Sequence, residues 1–134
     1  ASVVLSGSDN DNGACCSLYE NWAITIPQTG TISFSYSMVQ PDIDNSYYVI
    51  NGTTYSIATS TGSGTKSAIA VTAGQTFAFR IINDDNCCGR GVLTISSFVF
   101  TPATPSITSH PSNQNLCVGN TATFTITAIN ATQC

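Results

Sequence analysis

Residues 30–38 read GTISFSYSM, and this segment decides the fold class. Its apolar side chains Ile32, Phe34, Tyr36 and Met38 alternate with serines, so one face is apolar and the other is polar. Such period-two alternation is typical of a half-buried antiparallel strand. The same pattern recurs in the segments NWAITIP, TTYSI, KSAIAVT and QTFAFRII.

Short turn motifs separate these segments. Asn51-Gly52 is the clearest, because a two-residue type I′ hairpin turn requires positive φ at both positions. Other breaks are expected at Gln28-Thr29-Gly30, Gly62-Ser63-Gly64 and Ala73-Gly74. We therefore predict an all-β domain over residues 1–102, an antiparallel two-sheet sandwich of about eight strands.

A proline-rich linker, Thr101-Pro-Ala-Thr-Pro105, separates this domain from a tail over residues 103–134. Alternation in the tail predicts two strands, Ser106–Ser109 and Thr121–Ile129. Two strands alone cannot bury a core. The tail is therefore expected to complete the first domain, to begin a second domain, or to lie on a neighbouring molecule.

Composition excludes several classes of protein. Charged residues make up 7% of the chain and hydrophobic residues 42%, which is enough for a core and excludes disorder. The net charge of −4, with no cluster of basic residues, argues against a nucleic-acid surface. Apolar runs are too short for a membrane-spanning helix. Six cysteines favour an oxidising environment, so we expect an extracellular or cell-surface protein.

Four cysteines form two adjacent pairs, Cys15-Cys16 and Cys87-Cys88, in similar contexts rich in Asp and Asn. Adjacent cysteines seldom bridge each other because the ring is strained. We predict two cross-links between the pairs, either Cys15–Cys88 with Cys16–Cys87 or Cys15–Cys87 with Cys16–Cys88. A zinc site made of all four thiolates is the rival interpretation, although the C-x2-C spacing of such sites is missing.

Cys117 and Cys134 flank the predicted strand Thr121–Ile129. Its nine residues would extend ~30 Å, so a bridge between the two cysteines requires a bend that the pattern does not show. We predict that each pairs with another copy of the chain or with sequence beyond it.

The acidic residues Asp9, Asp11, Asp84 and Asp85 lie next to the paired cysteines. The predicted bridges would bring them together, and carboxylates are the ligands that Ca²⁺ prefers. We therefore consider a calcium site there, with Ca²⁺ as the only cofactor. The alternative is that Asp and Asn serve these loops through Asx turns.

Catalytic residues are not indicated. The only histidine, His110, lies in the tail, so no Ser-His-acid or Cys-His set is expected to be pre-organised. A hydrolase using Asp84 and Asp85 would need a second acid facing that pair.

The aromatic side chains suggest a different kind of site, a face on which sugars stack. The alternative is that the same rings pack in the core. The candidates for the stacking face are Tyr19, Trp22, Tyr47, Tyr48 and Tyr55.

Two resemblances extend this interpretation. The segments GTISFSYSM, YYVINGTTYSI, SGTKSAIAVTAGQTFAFRIINDDN and GRGVLTISSFVFTP resemble a jelly-roll, CUB-like module of large secreted bacterial proteins. The tail segment PSITSHPSNQNLCVGNTATFTITA is similar to the opening strands of Ig-like repeats in surface adhesins of the Bacteroidota type. The Trp-bearing strand that follows in those repeats is missing before Cys134. The resemblances imply a jelly roll with a partial Ig-like tail, or donated strands, and a role in adhesion or assembly.

Together these observations predict a non-enzymatic structural module of an extracellular adhesin or fibre. We expect it to associate with copies of itself, or with neighbouring domains of a larger surface protein, through Phe124, Ile126 and Ala128 of the tail. The alternative is a calcium-dependent carbohydrate-binding domain whose partners are glycans.

Overall fold

The chain is built from strands. The computed structural model describes residues 2–8, 18–41, 43–83 and 89–131, and among these it contains no helix. The strands are β1 (Val3–Ser6), β2 (Leu18–Thr25), β3 (Gly30–Val39), β4 (Asn45–Ile50), β5 (Thr53–Ala58), β6 (Gly62–Val71), β7 (Thr76–Asn83), β8 (Val92–Pro102), β9 (Ser106–Ser109) and β10 (Thr127–Ile129). They divide between two compact units, the sandwich unit (Ala1–Pro102) and the tail unit (Ala103–Cys134).

Two four-stranded antiparallel sheets form the sandwich unit. The first sheet has the order β1-β8-β3-β6 and the second the order β2-β7-β4-β5. The chain thus pairs its first strand with its eighth, its second with its seventh, its third with its sixth and its fourth with its fifth. This nested pairing is the jelly-roll arrangement of a β-sandwich. The prediction of an eight-stranded antiparallel sandwich is confirmed.

Between the sheets lies an apolar core rich in aromatic rings. Its buried members are Leu5, Ile26, Ile32, Phe34, Met38, Ile57, Val71, Phe77, Phe79, Ile81, Leu93 and Ile95. Phe79 of the second sheet contacts Phe34 of the first edge to face, with ring centroids 4.9 Å apart. Full burial of a side chain of this size contributes about 1.5–3 kcal/mol, so this cluster provides the main stabilisation of the sandwich.

Two β-bulges occur where the central strand β3 pairs with its neighbours, one on the β8 side and one on the β6 side. On the β8 side, Ser97 and Phe98 together face the single residue Phe34. On the β6 side the irregularity includes Ala68, whose backbone N–H donates to Ser33 Oγ at 3.2 Å. Ser97 and Ala68 have left-handed φ angles of 51° and 54°. Because an inserted residue reverses the alternation beyond it, the β8 bulge directs Phe98 towards the interior.

The predicted turns have mixed outcomes. Asn51 and Gly52 adopt φ angles of 47° and 86°, which confirms positive φ at both positions of the β4–β5 hairpin. The break expected at Gly62-Ser63-Gly64 is wrong, because β6 already begins at Gly62. Gly64 belongs in that strand for a steric reason: a Cβ there would lie 2.8 Å from the phenol oxygen of Tyr36, its partner on β3.

In the tail unit, β9 and β10 pair antiparallel, and Asn130 Nδ2 donates to Thr104 O at 3.4 Å. The strand expected at Ser106–Ser109 is present, whereas only the last three residues of Thr121–Ile129 form a strand. Pairing stops at Thr127, opposite Ser109, because β9 ends there and Pro111 follows, which has no backbone N–H to extend the ladder. Residues 121–126 carry the strand pattern without a strand partner among the described residues.

A buried carboxylate fixes one end of the sandwich. Asp44 is fully buried, and its Oδ2 accepts a hydrogen bond from the Gly91 backbone N–H. The Gly7 N–H donates to the Gly91 carbonyl at 2.9 Å, which ties the segment after β1 to the segment before β8. A Cβ on Gly91 would approach Asp44 Cγ to 2.8 Å, so the close packing here requires glycine.

We expect Gly91→Ala to lower the free energy of unfolding by about 1–3 kcal/mol, because the added methyl group overpacks the buried Asp44 site. Gly62→Ala is the matched control: no atom lies within 4 Å of its added Cβ and its φ is not in the left-handed region. It should change stability by less than about 0.5 kcal/mol. Denaturant unfolding followed by tryptophan fluorescence measures both, and equal stabilities would contradict the steric argument.

Candidate functional site

The predicted calcium and bridging positions fall mostly on residues that are not described. These are Asp9, Asp11, Asp84 and Asp85, together with Cys15, Cys16, Cys87, Cys88 and Cys134. The described residues next to these two segments are in contact, since Asn83 Nδ2 donates to the Ser8 carbonyl at 2.7 Å. Leu18, which follows the first segment, also pairs with Asn83. The described residues that flank positions 9–17 and 84–88 are therefore neighbours, and both the bridges and the calcium site stay predictions.

Elsewhere in the described chain, no three His, Cys, Asp or Glu side chains lie together in a way that could hold a metal ion. Asp44 is occupied structurally, since its carboxylate accepts the Gly91 N–H. The described residues also contain no helix that is long and apolar enough to cross a membrane. The features with chemical interest are instead an open groove, a half-buried arginine and the tail.

The groove, called the edge groove below, opens at one side of the sandwich between β1 and β8 of the first sheet and β2 and β7 of the second. It has a volume of about 590 Å³, within the usual size range of ligand pockets. Its lining residues carry no charge: they are Ser2, Val3, Trp22, Phe79, Ile95, Ser96, Ser97 and Phe98.

The edge groove lies where the pairing between β1 and β8 ends. Its four residues pair with β8 only as far as Ile95. Beyond that residue, no described strand covers the outer edge of β8, which continues to Pro102. The bulge at Ser97 then turns Phe98 inwards, so an aromatic ring forms the inner wall beneath an uncovered strand edge.

Trp22 forms the opposite wall. Its indole stacks on Phe79 with centroids 6.0 Å apart, as expected for packing between the sheets, yet 38% of its surface is exposed. Phe98 is exposed to a similar extent, although it also contacts the buried ring of Phe79 at 6.1 Å. Exposed apolar surface that is contiguous and bordered by polar residues often marks a ligand groove or an interaction site, and here Ser2, Ser96 and Ser97 border the two rings. The groove therefore suits an uncharged, apolar occupant.

The five aromatic residues proposed as one sugar-stacking face do not share a face. Tyr48 points inwards, stacking on Tyr55 at 4.9 Å and on Phe77 at 6.0 Å. Desolvation by burial, with a further contribution from Tyr55, raises the pKa of Tyr48, which therefore packs as a neutral phenol. Tyr47, its neighbour in the strand, lies on the outer face of the second sheet, where its partner in the register is Arg80.

Arg80 organises that outer face. Its Nε donates to Asn21 Oδ1 at 2.8 Å, and its guanidinium lies 4.5 Å from the centre of the exposed Tyr19 ring. We call the set Tyr19, Asn21, Tyr47 and Arg80 the arginine patch. Arg80 was not predicted as a site residue, because its contacts join strands that are distant in sequence. The only feature of the sequence that pointed to Arg80 was its position as the one cation on the polar face of the segment QTFAFRII.

The tail unit exposes its apolar side chains. Phe124 and Ile126 are 62% and 59% exposed, and Ala128 is exposed on β10. Cys117 is exposed and free, so it forms no bridge with a described residue. His110 is exposed immediately after β9. The predicted assembly residues are thus accessible on the surface of their own unit.

No protein family model, no characterised protein and no solved structure matches the chain. Function is therefore inferred from the geometry of the edge groove, the arginine patch and the tail.

If Cys117 links copies of the chain, oxidised samples should contain a disulfide dimer that migrates at twice the monomer mass without reductant. In a chain that already carries Cys134→Ser, Cys117→Ser should abolish this dimer, whereas Ser112→Ala, at another exposed position of the same unit, should leave it unchanged. Electrophoresis with and without reductant measures the effect. Persistence of the dimer in Cys117→Ser would show that another cysteine forms the link.

Proposed function

We propose that the protein is a non-enzymatic structural module of an extracellular adhesin or fibre, and that it associates with its own kind through the tail. The observation that supports this is the exposure of Phe124 and Ile126 in a segment that has the strand pattern but no strand partner among the described residues. Neighbouring domains of a longer surface protein would be bound through the same residues.

Energetics favour a partner for the tail. Burying Phe124 and Ile126 would contribute about 1.5–3 kcal/mol each, which the three- and four-residue strands of the tail unit do not provide by themselves. Natural proteins protect exposed strand segments with charged residues, most often lysine. Residues 103–134 contain no Asp, Glu, Lys or Arg, so the tail lacks the charged residues that usually oppose such association.

The arrangement also suits repeated assembly. A tail that binds a different surface on the next molecule makes a head-to-tail contact, which can continue into a filament instead of closing into a dimer. Strand addition uses backbone hydrogen bonds for affinity and alternate side chains for specificity. The serine- and threonine-rich faces of the sandwich and its low charge fit an extracellular location, which is part of the proposal.

We expect the mass of the full chain to rise with concentration in light scattering, and Ile126→Asp to weaken this association at least tenfold. The reason is that an aspartate cannot be buried against an apolar surface without a large desolvation cost. Ser112→Asp adds the same charge to an exposed position of the same unit and should leave association unchanged. A strict monomer at every concentration would contradict the proposal.

The arginine patch favours a second candidate, a carbohydrate-binding domain that depends on calcium. Tyr19 presents an exposed ring of the kind on which sugars stack. Arg80 is held beside it by Asn21, with its terminal nitrogens available to bind hydroxyl or carboxylate groups. Calcium would act at Asp9, Asp11, Asp84 and Asp85.

For this candidate, a glycan array should give binding that Tyr19→Ala reduces about tenfold, because each stacked ring contributes roughly 0.5–1.5 kcal/mol beyond its buried area. Tyr55→Ala removes an exposed ring from the other face of the same sheet and should have no effect. Chelation by EDTA should abolish binding. An array with no bound glycan, with or without calcium, would eliminate this function.

A further inference from the structure

The uncovered edge of β8 offers backbone groups for another strand. From Ser96 to Pro102 this edge extends over seven residues beyond the pairing with β1. On its other side the same stretch is paired to β3, which holds it in strand conformation. The edge is therefore pre-ordered, and an added strand would lie where a longer β1 would run.

The two faces of such a strand would meet different surroundings. The inner face would lie over the edge groove, against Trp22, Phe79 and Phe98. The outer face would continue the outer surface of the first sheet, which presents polar groups such as Ser33 and Ser35 of β3. A suitable strand has small or apolar side chains on one face and short polar side chains on the other, without charges.

Residues 121–126 of the tail, TATFTI, have this pattern. Ala122, Phe124 and Ile126 alternate with threonines, and all are exposed. Six residues of strand extend ~20 Å, within the ~23 Å of the seven-residue β8 edge. Neither the segment nor the groove lining contains a charged side chain, so no ion has to be desolvated on binding.

We propose that the edge groove is the acceptor for residues 121–126 of a second copy, which pair with β8 and insert Phe124 and Ile126 between Trp22 and Phe98. This inference rests on the proposed self-association and assigns its binding site. A small apolar ligand would fill the groove but would leave the edge of β8 unpaired, which is why a strand is the better occupant.

The chain carries its own reporter of occupancy, because Trp22 in the groove is its only tryptophan. Insertion of apolar side chains removes water from the indole and should shift its emission to shorter wavelength. We expect this shift over the same range of concentration in which light scattering shows the full chain to associate. Ile126→Asp should abolish the shift together with association.

Ser97→Glu tests the acceptor by placing a carboxylate at the groove wall. It should weaken association at least tenfold and remove the spectral shift, while Ser37→Glu, on an exposed position of β3 in the same sheet, should change neither. Ser2→Glu repeats the test outside any strand, in case Ser97→Glu impairs folding, which circular dichroism would reveal.

The outcomes separate the inference from the proposed function. If Ser97→Glu and Ser2→Glu associate as strongly as the unmodified chain, and their Trp22 emission does not change on association, then assembly uses another surface. That result would overturn the acceptor site alone. A different result is that Trp22 emits at short wavelength at every dilution, with Ile126→Asp shifting the emission to longer wavelength. In that case the chain's own tail occupies the groove, and the second copy is overturned as the occupant. Absence of any association would overturn both.

Discussion

The ring of Phe79 joins the two sheets, and the rest of the sandwich depends on that contact. It touches Phe34 and Phe98 from one sheet and stacks with Trp22 from its own, at centroid distances of 4.9, 6.1 and 6.0 Å. With 7% charged residues, the chain has few ion pairs to contribute to stability, so burial of apolar area has to provide it. The same cluster leads outwards to the edge groove, where two of its rings are only partly covered.

The scarcity of charge also shapes how the surface behaves. Proteins commonly prevent edge-to-edge pairing with lysine or inward-pointing charges on exposed strands. Here the outer edge of β8 beyond Ile95 carries serine, phenylalanine, valine and threonine, and the tail is uncharged. A soluble monomer would be at risk of non-specific association with such an edge. In a protein that assembles in an ordered way, the same uncharged edge promotes association, provided that shape and strand register determine which partner binds.

The strand content and the inward faces follow from alternation, which is local and therefore visible in the sequence. The segment GTISFSYSM predicts β3 and its buried residues, and Asn51-Gly52 predicts the hairpin turn, because each depends on neighbours in the chain. The edge groove was not predicted. It depends on where β1 stops pairing and on a bulge at Ser97, and ISSFVF shows no signal for the extra residue. The arginine patch was missed since Arg80 and Asn21 lie 59 residues apart.

The bulge at Ser97 has a consequence for how the chain can vary in length. Side chains on a strand have only two directions, so pairing the same residues with β3 without the bulge would turn Phe98 and Phe100 to solvent and Val99 and Thr101 to the core. No gradual adjustment connects these two states. Changes of length are therefore tolerable in the hairpins, such as the one at Asn51. Deleting Ser97 would remove the bulge and keep Phe98 opposite Phe34, whereas a one-residue insertion or deletion between Phe98 and Thr101 would reverse the faces of the residues beyond it.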